Sequence, residues 1–138
     1  MSTVQIPDSH QDLLACPPIA TLTTVMPDGQ PQTTAVWFDF DGTYFRVNTM
    51  CGFQKEKNMR RNPKVTLFAY NPANTLHTLE IRGQVVQMSE DGALAHLDHL
   101  SELYTGQSPY FGACVPAEFQ KTETPVLCQI KPLHVVIL

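Results

Sequence analysis

Short runs of β-branched and aromatic residues, each closed by a turn signal, recur along most of this chain. Met26-Pro27-Asp28-Gly29-Gln30 follows the first run, where Pro27 pre-sets φ and Gly29 can take positive φ. Asp39-Phe40-Asp41-Gly42 closes a hairpin after the second. The pattern predicts strands over 19–25, 32–38, 44–49, 65–70, 77–88 and 125–138, with Pro132 a possible break in the last. Gly83, inside the long fifth run, predicts a bulge or sharp bend. Helix signals interrupt the strands. Asp8 or Ser9 caps a first helix that carries Leu13 and Leu14. A second opens after Met50-Cys51-Gly52 and ends before Asn62-Pro63, because a residue preceding proline avoids the α region. A third follows Ser89-Glu90-Asp91-Gly92, with Leu94, Leu97, Leu100 and Leu103 at three-residue spacing. Residues 107–124 read as irregular. A meander of six strands with peripheral helices and no dividing linker predicts one small mainly β barrel over residues 1–138.

Charge narrows the function. The net charge is −4, which disfavours a nucleic-acid partner, since phosphate-backbone binders need a positive surface. Yet five of the nine lysines and arginines, namely Lys55, Lys57, Arg60, Arg61 and Lys64, fall in one short stretch. An acidic chain with one basic island suits a single small anion better than a polymer. Only 16% of residues are charged against 43% hydrophobic, which leans towards an oligomer that covers apolar surface. Cys16, Cys51, Cys114 and Cys128 form no C-x-x-C pair and have no histidine at zinc-finger spacing. The first residues lack a secretory pattern, and no apolar run is long enough to span a membrane, so a reducing cytoplasm is expected.

The informative segment joins a strand, Thr49-Met50-Cys51-Gly52, to the helix bearing Lys55, Lys57 and Asn58. A helix N-terminus offers unpaired N–H groups and the positive end of the dipole. Gly52 would let backbone approach a ligand, Thr49 can donate its hydroxyl, and Lys55 or Lys57 can neutralise a phosphate. Together they read as a phosphate pocket. The plainer reading of such a cluster is a solvated helix face.

Trp37, the single tryptophan, sits in the strand Thr33-Thr34-Ala35-Val36-Trp37-Phe38. Its plain role is packing; its functional one is to line an aromatic ring system. His96 and His99 could share a helix face, but no metal site is expected from them. Cys51 reads as a space-filling neighbour of the anion site, and His77 and Glu80 as structural. No Ser-His-Asp or Cys-His arrangement can be placed by spacing, so no catalytic residue is assigned.

Ala20-Thr21-Leu22-Thr23-Thr24, Pro27-Asp28-Gly29, Pro31, Val36-Trp37-Phe38, Asp41-Gly42, Asn48-Thr49, Gly52, Lys55-Glu56-Lys57-Asn58, Asn62-Pro63-Lys64-Val65 and Glu80-Ile81-Arg82-Gly83 occur in this order. The series resembles the pyridoxamine-phosphate-oxidase-like FMN-binding split-barrel family, and within it the branch of oxidoreductases that use the deazaflavin F420. The resemblance implies a six-stranded antiparallel split barrel and a homodimer with cofactor sites at the subunit interface. It implies that Thr49, Gly52, Lys55, Lys57 and Asn58 hold the phosphate, and that Thr34, Val36, Trp37 and Phe38 flank the ring. It also implies hydride transfer from reduced F420 to a small unsaturated or conjugated substrate, with the cofactor carrying the chemistry.

The second strand, Gln32-Thr33-Thr34-Ala35-Val36, lacks the Arg and Lys that FMN-using oxidases of the wider family place there, which favours F420 over FMN. Phe53 stands where the F420 branch often has a basic residue. An FMN-binding oxidoreductase and a non-catalytic flavin or tetrapyrrole binder are the rival readings. Segment 107–124, with Tyr110-Phe111, is expected either to cover the pocket or to pack on a partner subunit.

Overall fold

The computed structural model describes residues 4–138. Seven strands form a single antiparallel sheet: β1 (Ala20–Val25), β2 (Pro31–Val36), β3 (Phe38–Phe40), β4 (Phe45–Met50), β5 (Lys64–Asn71), β6 (Asn74–Ser89) and β7 (Pro125–Ile137). Their order across the sheet is β2-β1-β5-β6-β7-β4-β3. The expected second strand is therefore two. It breaks at Trp37, between Val36 on one edge of the sheet and Phe38 on the other. One residue cannot span a flat seven-stranded sheet, since strands lie about 4.8 Å apart. The sheet must curl until its edges meet at Trp37, which makes a barrel split between β2 and β3.

Alternation along the strands decides what fills that barrel. In β1 the buried residues are Ala20, Leu22 and Thr24; in β4 they include Phe45 and Val47; in β7 they are Val126, Cys128, Ile130 and Pro132. Registers such as Val47 opposite Cys128 and Leu22 opposite Leu67 bring these residues onto one face. Phe38, Leu67, Leu79 and Ile81 complete the core, each at most 2% exposed. Full burial of a large apolar side chain contributes about 1.5–3 kcal/mol, so this face sets the register.

Gly83 lies at one of two register shifts between β6 and β7, as expected of a bulge. A Cβ there would meet Ile130 Cγ2 at 2.6 Å and the Lys131 carbonyl oxygen at 2.8 Å, so close backbone approach requires glycine. Pro132 sits opposite that shift, and β7 runs through it without breaking.

Three helices lie on the sheet: α1 (Asp12–Ala15), α2 (Gln54–Arg61) and α3 (Ala93–Thr105). The first is shorter than expected and is preceded by a turn over Asp8–His10; neither Asp8 nor Ser9 caps it with a side chain. Helix α3 starts at Gly92 in the left-handed region (φ 77°), without a side-chain cap from the Ser89-Glu90-Asp91 run. Residues 107–124 hold a wide turn over Tyr110–Cys114 and a short 3₁₀ turn over Ala117–Lys121. Among the described residues no helix is long and apolar enough to cross a membrane.

Candidate functional site

The two edges of the split barrel leave a cavity of about 280 Å³ where β2, Trp37, β4, the start of α2 and α3 converge. That is near the lower end of ligand-pocket volumes, about 300–1,000 Å³. Ile19, Ala35, Val36 and Trp37 form one wall, Asn48, Thr49 and Met50 another, and Phe53 and Lys55 the floor near α2. Leu97, Leu100, Tyr110 and Glu123 close it from the α3 side.

Of the residues expected at a site, the structure gathers Val36, Trp37, Thr49 and Lys55 on this cavity. It does not bring Thr34, Phe38, Gly52, Lys57 or Asn58 to the wall. Phe38 is 1% exposed and packs against Phe45, because strand alternation turns it into the core. Thr34 stands opposite Leu22, and its buried hydroxyl has no partner. The Gly52 N–H is taken by the Glu56 carboxylate at 2.8 Å. Lys57 lies on the solvent side of α2. Asn58 is fully buried beneath α2, where its Nδ2 donates to Thr24 Oγ1 at 3.0 Å and to Gln32 Oε1 at 3.3 Å, and its Oδ1 accepts from Gln54 Nε2 at 2.9 Å. That network ties α2 to β1 and β2, and leaves the amide little capacity for a ligand.

The basic island separates by the same geometry. Arg60 pairs with Glu56, and Arg61 donates to the Val25 carbonyl. Burial would raise the Glu56 carboxyl, but hydrogen bonds from Gly52 and Arg60 outweigh it and hold it below its ordinary value. Lys64 is exposed. Only Lys55 turns into the cavity, half-buried, with no carboxylate of the described residues in ion-pair range. Burial lowers its pKa, as for any cation short of both water and a counter-charge. Thr49, on the same cavity, is 5% exposed, and its buried Oγ1 has no hydrogen-bond partner. A desolvated cation and an unsatisfied hydroxyl on residues of one cavity leave capacity for an anionic group.

Aromatic rings line the opposite side. Trp37 stacks on Tyr104 with centroids 5.5 Å apart and planes inclined by 13°. It meets Tyr110 edge-on at 6.1 Å. Of the Tyr110-Phe111 pair, Tyr110 reaches the cavity, whereas Phe111 is buried with Met50 and Leu97. Burial, then the charge of Glu123, pushes the Tyr110 phenol upward.

Sequence reasoning missed a polar group behind this wall. Asp39, 7% exposed, accepts from Arg46 Nε at 3.0 Å and from His96 Nε2 at 3.0 Å, with His99 Nε2 at 3.5 Å from its other oxygen. His96 and His99 do share a face, but they converge on a carboxylate already held by an arginine. Among the described residues no group of three or more His, Cys, Asp or Glu could hold a metal ion. In the sequence Asp39 stands in a turn signal; its role follows from the β3–β4 pairing that sets it opposite Arg46. His77 lies away from the cavity, on Asp12 at 3.0 Å, and Glu80 pairs with Arg82. Cys51 is exposed, and its N–H donates to Thr124 O.

Comparison with known proteins places this architecture. The pyridoxamine 5'-phosphate oxidase family model matches residues 6–132. An F420 reductase of known structure is 30% identical, superposes with a TM-score of 0.82, and is matched over 95% of this chain and 98% of its own. A conserved hypothetical protein of Mycobacterium tuberculosis has 23% identity and a TM-score of 0.71, over 98% of this chain and 86% of its own. HupZ of Group A Streptococcus has 17% identity and a TM-score of 0.65, over 97% and 94%. The last two are similar in fold alone. No curated protein matches the sequence. By the match along nearly its whole length, and by a split barrel closed at Trp37, the chain belongs to the pyridoxamine 5'-phosphate oxidase family.

Proposed function

We propose that the cavity binds a phosphate-bearing flavin or deazaflavin, with F420 the first choice, and that the protein is an F420-dependent reductase of a small unsaturated or conjugated substrate. The observation that carries this reading is Lys55: half-buried, without an ion-pair partner among the described residues, and lining the same cavity as Thr49, whose hydroxyl is unsatisfied. A phosphate there would supply the missing charge and the missing acceptor together. The amides at the start of α2 would add donors. The ring would lie along Ala35, Val36 and Trp37, where the edge strand β2 has backbone groups that no neighbouring strand pairs.

The fit extends to the apolar part of the ligand. Trp37, Tyr110, Met50 and Leu97 provide flat and apolar surface for a conjugated ring. When bound, such a cofactor supplies two-electron hydride chemistry, and the chain's own contribution is to hold and orient it. The 30% identity to an F420 reductase, together with a second strand free of Arg and Lys, supports F420 over FMN. A second copy of the chain would complete the site. Ile19 and Phe53, on the cavity wall, are 50% and 47% exposed, which suits a mouth covered by a partner subunit.

The test uses Trp37, the single tryptophan, as reporter. Titration with F420 and with FMN should quench its emission, F420 at the lower concentration. Absence of quenching and of binding with both would refute the reading. Turnover of reduced F420 with added acceptors separates an enzyme from a binder, and sedimentation velocity reads the dimer.

A further inference from the structure

The carbonyl oxygen of Asn48 is a buried acceptor without a donor, on a residue of the cavity wall. Its orientation follows from its neighbours. Asn48 Nδ2 donates to the Ala93 carbonyl at 2.9 Å and to His96 Nδ1 at 3.1 Å. A carbonyl can only accept, so the amide nitrogen must face Ala93. His96 Nδ1 can accept only if the ring proton sits on Nε2, and Nε2 faces the Asp39 carboxylate at 3.0 Å. Asp39 in turn is gripped by the Arg46 guanidinium. The order of donors and acceptors is therefore determined from Arg46 through Asp39, His96 and Asn48. It leaves Oδ1 as the one unsatisfied end. Two further titratable groups face this chain: His99, 3.5 Å from Asp39, which can donate to the carboxylate, and Asp41, whose charge favours the Arg46 guanidinium.

We propose that Asp39 and His96 are positioning residues that present Asn48 Oδ1 as a fixed hydrogen-bond acceptor, so that the cavity selects a ring with an imide or lactam N–H on its edge. This inference rests on the cofactor reading above and goes further: it names the edge of the ring that the protein reads. A site with a buried, unpaired acceptor discriminates against a ligand lacking the donor, because the acceptor then stays unsatisfied.

The test compares 5-deaza-FMN with its N3-methyl derivative, which lacks the imide N–H, on the full chain. Wild type should bind the N–H form about tenfold tighter, the worth of one hydrogen bond. Asp39→Asn keeps the shape but gives residue 39 a donor, so His96 need no longer carry its proton on Nε2; Asn48 is then held by the Ala93 carbonyl alone, while His96 Nδ1 becomes free to donate against its amide nitrogen. That variant should reduce the preference to threefold or less (about half the wild-type free-energy difference). In the ligand-free protein, 15N correlation spectra of the His96 ring should show the Nε2-protonated tautomer in wild type and a gain of the Nδ1-protonated form in Asp39→Asn. Equal wild-type affinity for the two ligands overturns the acceptor role while leaving the cofactor reading intact. Preference unchanged in Asp39→Asn marks mere steric exclusion of the methyl group and overturns the relay. A wild-type His96 protonated on Nδ1 overturns it too, whether or not any ligand binds. Failure of wild type to bind either compound, F420 or FMN removes the cofactor reading itself.

Discussion

The Tyr104 hydroxyl clasps the corner at which the barrel closes: it accepts from the Phe38 N–H at 3.0 Å and lies 3.0 Å from the Pro18 carbonyl and 3.1 Å from that of Phe38. The same ring stacks on Trp37. Helix α3 thereby holds the single residue that joins the two edges of the sheet. Tyr104→Phe should keep the stack and leave a buried amide unpaired, at a cost of about 1–3 kcal/mol. Urea denaturation of the two proteins measures it, and a change within error would show the clasp to be dispensable.

Alkaline pH tests the same hydroxyl. Burial pushes the Tyr104 phenol up to about 12. A folded pKa above the unfolded value of about 10 means that the unfolded chain loses this proton first. The contribution is complete below pH ~10 and declines as pH rises towards ~12. In Tyr104→Phe that part of the alkaline loss should disappear from a stability profile.

Lys55 and Lys57 should behave oppositely despite standing two positions apart. Lys55→Met should weaken cofactor binding by about 1.5–3 kcal/mol, the loss of one charge-assisted contact. Lys57→Ala should change it by less than about 0.5 kcal/mol, as for a solvated surface group. Burial lowers the Lys55 pKa, so its protonated form opposes folding at neutral pH, and this cost fades as pH rises from the lowered folded value to the unfolded one. Ligand-free Lys55→Met should therefore be at least as stable as wild type by thermal melting. A large drop in melting temperature would make Lys55 structural.

Asp39 should govern the acid limb of stability. Burial raises its carboxyl, but hydrogen bonds from His96 and Arg46 prevail and hold it below the ordinary range. Its contribution is present above the unfolded value of about 3.9 and is lost as pH falls through the folded value. Asp39→Ala leaves Arg46 and His96 without their acceptor and should cost about 3–5 kcal/mol. Chemical denaturation from pH 7 down to 3 should show the variant's deficit shrinking with acid; a constant deficit would exclude the ion pair as its cause.

Gly83→Ala tests the barrel bend. Its Cβ would meet the Lys131 carbonyl oxygen at 2.8 Å, and backbone cannot swing aside as a side chain can. A loss of about 1–3 kcal/mol is expected, read from the urea midpoint; an unchanged midpoint would show that β6 and β7 slide apart freely.

The sequence by itself determined the strand runs, the turns between them, the bulge at Gly83 and the basic island, because each depends on period-two alternation, backbone freedom or local charge. The break at Trp37 was not legible. Val36 and Phe38 are both buried, so the run reads as one strand, and only barrel closure assigns them to opposite edges of the sheet. The tertiary structure also decided which cations are free. Lys55, Arg60 and Arg61 look alike in composition, but Glu56 claims Arg60 and the Val25 carbonyl claims Arg61. Asn58 is engaged for the same reason, its partners Thr24 and Gln32 lying 34 and 26 residues away. The acceptor at Asn48 depends on Ala93, His96 and Asp39, which meet only where α3 packs on β4. Periodicity and charge are properties of neighbours in the chain, whereas the partner that satisfies or abandons a polar atom is a neighbour in space.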